Sequence, residues 1–334
     1  MATIREIAEK AKVSPGTVSF VLNGKGDQMR ISIKTQEKIL KIAKDLGYLP
    51  PSISARRLRN SEAINIPFIT ILWTLDTRAS LISRFLQGLQ HKTLFKSNQF
   101  EILIQPYENG KLSELESLRT GNKYNGAIIA NASDKDLQYL DNANLKVPIV
   151  LYQRHSDKYS TVNVDSKKTG LDVASFLHIK GIKKVGMVIP NLSSQAVARR
   201  SQGFIEGIET LGMDNTIIKN GDFSEKGGYE AMEALIKASY PLPEALFFLS
   251  DPMAVGAISA CHEYGVRIPD DLKIIGHDND EQTPFTTPAL TTVHLPVEEM
   301  ANACVKQLMG QINQTISTPS NERFETKIIE RKSC

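Results

Sequence analysis

The sequence predicts an all-α head of three short helices, with a helix-turn-helix, followed by an α/β body of two doubly wound lobes with parallel sheets. Three observations lead there. A chain of 334 residues exceeds what one compact domain usually holds. Charge is divided unevenly: residues 1–60 carry 12 Lys or Arg against 5 Asp or Glu, a net +7, while the remainder is −4. Hydrophobic spacing is helical through the first 46 residues, and from residue 66 short apolar runs alternate with amphipathic stretches.

In the head, Ile4, Ile7, Ala8 and Ala11 fall on one helical face. After a break at Lys12-Val13, Ser14 is a good N-cap and Pro15 suits the first helical position. Val18, Val21 and Leu22 turn inward, leaving a small, polar outer face. A third helix runs from about Ser32 to Leu46, with Ile39, Ile42, Ala43 and Leu46 facing in together. A basic module of this form suits a nucleic-acid groove.

The tract TIREIAEKAKVSPGTVSFVLNG, continued by RISIKTQEKILKIAKDLGYLPPSISARRLRN, resembles the opening of the lactose/galactose repressor family of bacterial transcriptional regulators, and the likeness extends over essentially the whole chain. The resemblance implies that the helix starting at Ser14 is the recognition helix. Pro15, Gly16 and Phe20 then stand where base edges are read, and Thr3, Thr17, Ser19, Asn23, Ser32 and Thr35 stand near phosphates or support the helix. Three features depart from the family pattern. Lys12 replaces the glycine of the turn, where a left-handed backbone costs a non-glycine residue about 1–2 kcal/mol. Phe20 replaces a common arginine, which removes a bidentate guanine contact. The loop between Asn23 and Ser32 is long.

Residues 1–49 are expected to form the DNA-binding domain and residues 50–61 a hinge. Pro50-Pro51 ends the third helix, and the eight residues from Ser52 are too few for a stable isolated helix. They are expected to become helical on DNA. By resemblance, Ala55 and Leu58 enter the minor groove, Leu58 as an apolar wedge, with Arg56, Arg57 and Arg59 near phosphates.

The body, residues 62–334, offers strands at Phe68–Leu72, Glu101–Ile104, Gly126–Ile129, Pro148–Leu151, Lys184–Ile189, Ala245–Leu249 and Leu272–Ile275. Helices are expected at Ser80–Leu94, Lys168–Ile179, Ala198–Leu211 and Pro252–Tyr264. Resemblance makes this a periplasmic-binding-protein-like body, its first lobe about 62–161 and 291–321, its second about 162–290 and 322–334. A ligand belongs in the cleft at the carboxyl ends of strands. There the likeness implies effector-binding roles for Arg200, Asp278, Gln153 and Ser250, an aromatic plate at Phe223, and contributions from Asp76 or Asn131. Asp165 and Asp251 read equally well as loop caps.

An arginine, an aspartate and an aromatic plate suit a polyhydroxylated ring. Leu81 and Ile82 stand where a purine-binding relative stacks its base, which argues for a sugar or sugar derivative; for a sugar phosphate, Arg78 or Arg154 could supply a second cation. The expected function is a ligand-responsive repressor of carbohydrate genes, working as a homodimer on double-stranded operator DNA. Helix faces in residues 80–95 and 252–264 are the expected dimer surfaces. Inducer and corepressor action both stay open, as does a catabolite-control regulator whose body binds a phosphocarrier protein.

Enzymatic motifs are missing from the sequence. The G-x-G of NGKG at 23–26 lacks the rest of a dinucleotide loop, and there is no Walker lysine, H-E-x-x-H or G-x-S-x-G. The six histidines are scattered. Cys261, Cys304 and Cys334 form no metal-type spacing and cannot all pair. Without an apolar span or secretory leader, the chain is expected to be cytoplasmic, with no cofactor, metal or membrane contact.

Overall fold

The computed structural model describes residues 3–22, 26–46, 67–74, 79–90, 100–190, 194–219, 222–238 and 241–334. Asn23, the hinge with Ala55, Arg56 and Leu58, and Asp76 and Arg78 lie outside the described residues. The chain divides into two compact units, Met1–Asn65 and Ile66–Cys334.

The head holds α1 (Ile4–Ala11), α2 (Pro15–Leu22) and α3 (Ile33–Asp45). Each start is fixed by a side chain. Thr3 and Glu6 form a capping box, the Glu6 N–H donating to Thr3 Oγ1 (3.3 Å) and the Thr3 N–H to Glu6 Oε2 (2.7 Å). Ser14 Oγ accepts from the Thr17 N–H at 3.1 Å, and Ser32 Oγ from the Thr35 N–H at 3.3 Å. The turn between α1 and α2 passes through Lys12 at φ 57°, ψ 47°, the left-handed conformation expected there. Ile7, Ala8, Ala11, Val18, Val21, Ile39 and Ala43 form the core.

The described residues of the body form two six-stranded sheets. The first has β1 (Phe68–Thr74), β2 (Glu101–Tyr107), β3 (Gly126–Ala130), β4 (Ile149–Tyr152) and β5 (Ser160–Val164). It runs in the order β11-β5-β4-β3-β1-β2, where β11 is Asn321–Phe324, and all its pairs are parallel. The second has β6 (Lys184–Ile189), β7 (Asp214–Lys219), β8 (Ala245–Phe248), β9 (Lys273–Asp278), β10 (Thr291–His294) and β12 (Lys327–Ile329). Its order is β12-β10-β9-β8-β6-β7, with β12 antiparallel to β10.

The helices are α4 (Ala79–Gln90), α5 (Glu116–Thr120), α6 (Asp134–Asn142), α7 (Ser166–Ile179), α8 (Gln195–Thr210), α9 (Glu225–Lys237), α10 (Asp251–Glu263) and α11 (Val297–Ile312). Separate apolar clusters cover the faces of the first sheet, one with Phe85, Trp73 and Tyr152, the other with Leu72, Ile129 and Leu151. A third cluster, around Phe204, Phe247 and Met253, fills the second lobe.

Two expectations need correction. The lobe boundaries fall later than expected, because β5 and β11 belong entirely to the first sheet and β10 to the second. The chain therefore crosses after Val164, after His294 and after Phe324. The expected boundaries stood at or before the last strand of each segment rather than at its end. In addition, β5, β7, β10, β11 and β12 were not among the expected strands.

In the second lobe α7 and α8 approach to backbone contact. A Cβ on Gly203 would lie 2.0 Å from Lys167 O, and one on Gly170 would lie 2.1 Å from Arg200 O. That contact fixes the helix carrying Arg200 against the helix that opens the second lobe.

Candidate functional site

In the head, Ser14, Pro15, Gly16 and Phe20 are exposed together on α2, and Thr17 and Ser19 are half-buried. Thr3, Ser14 and Ser32 are held as caps, and the Ser14–Thr17 and Ser32–Thr35 hydroxyl pairs stand at 2.9 and 2.8 Å. Phe20 is 38% exposed, so its ring is presented rather than packed into the module.

In the body, Asn131, Gln153, Arg200 and Asp278 border one narrow cavity between the lobes. Three of them stand at strand ends with unusual backbone: Asn131 follows β3 at φ 57°, Gln153 follows β4 at φ 61°, and Asp278 ends β9 at φ 117°. Such conformations cost a non-glycine residue energy and persist where the surroundings impose them, commonly at ligand sites. Arg200 comes from α8 and is almost fully buried, its Nη1 donating to Leu249 O at 3.0 Å. The side-chain nitrogen of Asn131 has no hydrogen-bond partner among the described residues.

Phe223 and Ser250 were expected at this cavity, and the structure places them behind it. Phe223 is 2% exposed and belongs to the second lobe's core. Ser250 is fully buried, and its hydroxyl donates to Phe223 O at 3.4 Å. The ring bordering the cavity is instead Tyr152, packed edge-on against Phe85 at 5.2 Å. Its position at the end of β4, immediately before Gln153, was the available signal. Leu81 also borders the cavity.

The capping reading holds for both loop acids. Asp165 Oδ1 accepts from the Lys168 N–H at 3.0 Å. Asp251 accepts from the Asp280 N–H at 2.8 Å and from the Thr292 hydroxyl at 2.6 Å. Burial and the nearby Asp278 hold the Asp251 carboxyl well above the usual range, and the same causes push Asp280 up to about 6. His277 is fully buried beside them, its Nδ1 2.8 Å from Asp278 Oδ1.

Arg84, which the sequence did not mark, ties the lobes together. Its guanidinium donates to Asp278 O at 2.5 Å and to Leu295 O at 2.8 Å, and it forks onto Glu298 at 2.8 and 3.0 Å. Gln87 to Glu281 (2.9 Å) and Gln195 to Asp134 (2.7 Å) also bridge the lobes.

Residues 3–51 match the model for bacterial regulatory proteins of the lacI family, and residues 174–334 match a periplasmic binding protein-like domain. The crystal structure of a LacI family transcription regulator from Clostridium acetobutylicum is 36% identical, with a TM-score of 0.75, over 79% of this chain and 99% of that one. The chain belongs to the LacI family. It is thus a transcriptional repressor with a helix-turn-helix head and a ligand-binding body. The HTH-type transcriptional repressor PurR of Escherichia coli is 26% identical over 100% of this LacI-family chain and 97% of its own. A transcriptional regulator CelR–cellobiose complex shares the fold, with a TM-score of 0.70 and 23% identity over the full length of both chains. Among the described residues, no helix of this family member is long and apolar enough to cross a membrane.

Proposed function

We propose that this chain represses carbohydrate-utilisation genes as a cytoplasmic homodimer, and that a sugar-like effector in the interlobe cleft sets its affinity for a near-palindromic operator. The observation that carries this reading is the convergence of Asn131, Gln153 and Asp278, each at positive φ on a strand end, with Arg200 from α8 on a single cavity. Vicinal hydroxyls match the acceptor and donor pairs of such a set, and Tyr152 supplies an aromatic edge. The cellobiose complex of the similar regulator CelR lends support.

The cavity measures about 20 Å³, room for a solvent molecule. Ligand pockets usually span roughly 300–1,000 Å³, so a sugar enters by parting the lobes. Parting them breaks the Gln87–Glu281 and Gln195–Asp134 hydrogen bonds. The lobe angle then sets the spacing of the two hinge segments on DNA, and effector and operator affinities shift each other by the same factor. Residues 1–49 act as the head, 50–61 as the hinge, and Thr3, Ser14 to Thr17, Ser19, Phe20, Asn23, Ser32, Thr35, Ala55, Arg56 and Leu58 as the DNA surface.

A thermal-shift screen of mono- and disaccharides, repeated with Asp278→Ala and Arg200→Ala, tests the cleft. The expected hit stabilises the natural chain and neither variant. A hit that both variants bind unchanged overturns the assignment. Operator binding is tested by titrating the upstream region against random DNA at several salt concentrations; equal affinity for both refutes sequence-specific recognition.

A further inference from the structure

Immediately beside two of the cavity's residues in sequence stands a set of basic side chains that the neutral-sugar reading does not use. Arg154 and His155 follow Gln153, and Arg199 precedes Arg200. Arg154 is 4% exposed, and its guanidinium is held by the carbonyls of Ala132 and Gln153. Arg199 is exposed on the first turns of α8, with no ion-pair partner among the described residues. Arg323, at the end of β11, reaches the same region from the third crossing between the lobes. There it helps line a second cavity of about 270 Å³ together with Asp165, Lys168 and Glu325.

Two carboxylates stand nearby, Asp165 and Glu325, and both line the second cavity. Asp165 caps the Lys168 N–H and stands 3.4 Å from Arg323, an exposed and hence weak pair. Glu325 lies near Lys168, whose ammonium is itself paired with Asp172 at 2.7 Å. Around His155 this leaves three guanidinia against one carboxylate. The imidazole registers the imbalance: burial, then Arg199 and Arg323, hold its pKa below the ordinary value. The guanidinia gathered near His155 come from both lobes, and an anion there would offset their charge.

We propose that the effector is an acidic sugar derivative, its ring in the cleft and its phosphate or carboxylate on the rim formed by Arg199, Arg323 and His155. The inference rests on the sugar-cleft reading and adds the charge of the ligand. An anion shared by Arg199 of the second lobe and Arg323 at the crossing would also hold the lobe angle, giving the charged group its own part in the response.

The test uses the full chain. The first probe is inorganic phosphate at millimolar concentration against chloride of matched ionic strength, read by thermal shift. The expected result is a rise of several degrees in the natural chain and in Arg200→Ala, lost in Arg199→Gln and in Arg323→Gln. No rise, or an equal rise in all four proteins, overturns the proposal. The second arm compares hexoses, their 6-phosphates and their uronic acids by calorimetry. An acidic ligand is expected to bind at least tenfold more tightly than its parent sugar, the advantage vanishing in Arg199→Gln, and the phosphate and carboxylate series identify which anion is preferred. A neutral sugar whose binding is lost in Arg200→Ala and unchanged in Arg199→Gln would uphold the cleft and sink the anionic effector. Arg199→Lys, which keeps the charge, is expected to retain part of the advantage and serves as the folding control.

Discussion

Arg84 carries more of the interlobe geometry than any other single side chain described above. It is 4% exposed and spends its donors on Asp278 O, Leu295 O and both oxygens of Glu298. Replacing it with leucine leaves a half-buried carboxylate and two carbonyls without that donor. We expect Arg84→Leu to lose about 2–4 kcal/mol in urea unfolding. Arg84→Leu with Glu298→Leu should recover part of the loss, and full additivity of the two losses would show that the pair is not coupled. Asp280 makes a different prediction. Its carboxyl titrates near 6 in the folded chain against an ordinary value of 3.8. Between about pH 4 and 6 the native state keeps a proton that the unfolded state gives up, so stability falls as pH rises through that window and is level above it. Asp280→Asn should flatten that decline by about 3 kcal/mol. An unchanged pH profile would mean that Asp280 ionises normally.

At the scale of elements, the close crossing of α7 and α8 couples packing to the site. Gly170→Ala drives a Cβ into the Arg200 carbonyl, with an expected loss of about 1–3 kcal/mol. Because the affected backbone carries Arg200, effector affinity should fall as well; the Gly203→Ala contact, against Lys167 O, should cost stability with a smaller effect on binding. The head was legible almost residue by residue, since caps and a left-handed turn are local signals and Ser14, Lys12 and the inward aliphatics all serve as read. The strands that went unread have physical reasons. In β5, Thr161 and Asn163 are buried yet polar, satisfied by Asn321 and the Arg154 carbonyl, so no apolar run marks the strand. β12 is three residues long and exists through its pairing with β10. Resemblance puts Phe223 in the cleft as an aromatic plate, but its side of the chain is decided by core packing that no local pattern records. Resemblance pointed to four residues that border the cavity, whereas Arg84 was missed because an arginine on an amphipathic helix ordinarily faces solvent.

For the molecule as a whole, head and body are separate compact units, so DNA affinity and body stability should be separable by mutation. Leu58→Ala is expected to reduce specific operator affinity at least tenfold while leaving the thermal transition of the body unchanged. Equal operator affinity would remove the wedge assignment. The triple crossing of the chain has a consequence for synthesis. The described helices of the head all lie between residues 4 and 45, whereas the first lobe waits for α11 and β11 and the second for β12 and the Ser333 hydroxyl, which bonds Ile274 O at 2.6 Å. At roughly 5–20 residues per second, a nascent chain carries a finished head for roughly a quarter of a minute to a minute before either lobe can close. We expect contact with DNA in that interval to be carried chiefly by charge, because the dimer proposed above, with its second half-site, has not yet formed. Newly made monomers should therefore scan sequence indiscriminately, and selectivity is expected only once β11, β12 and Ser333 have let the lobes close.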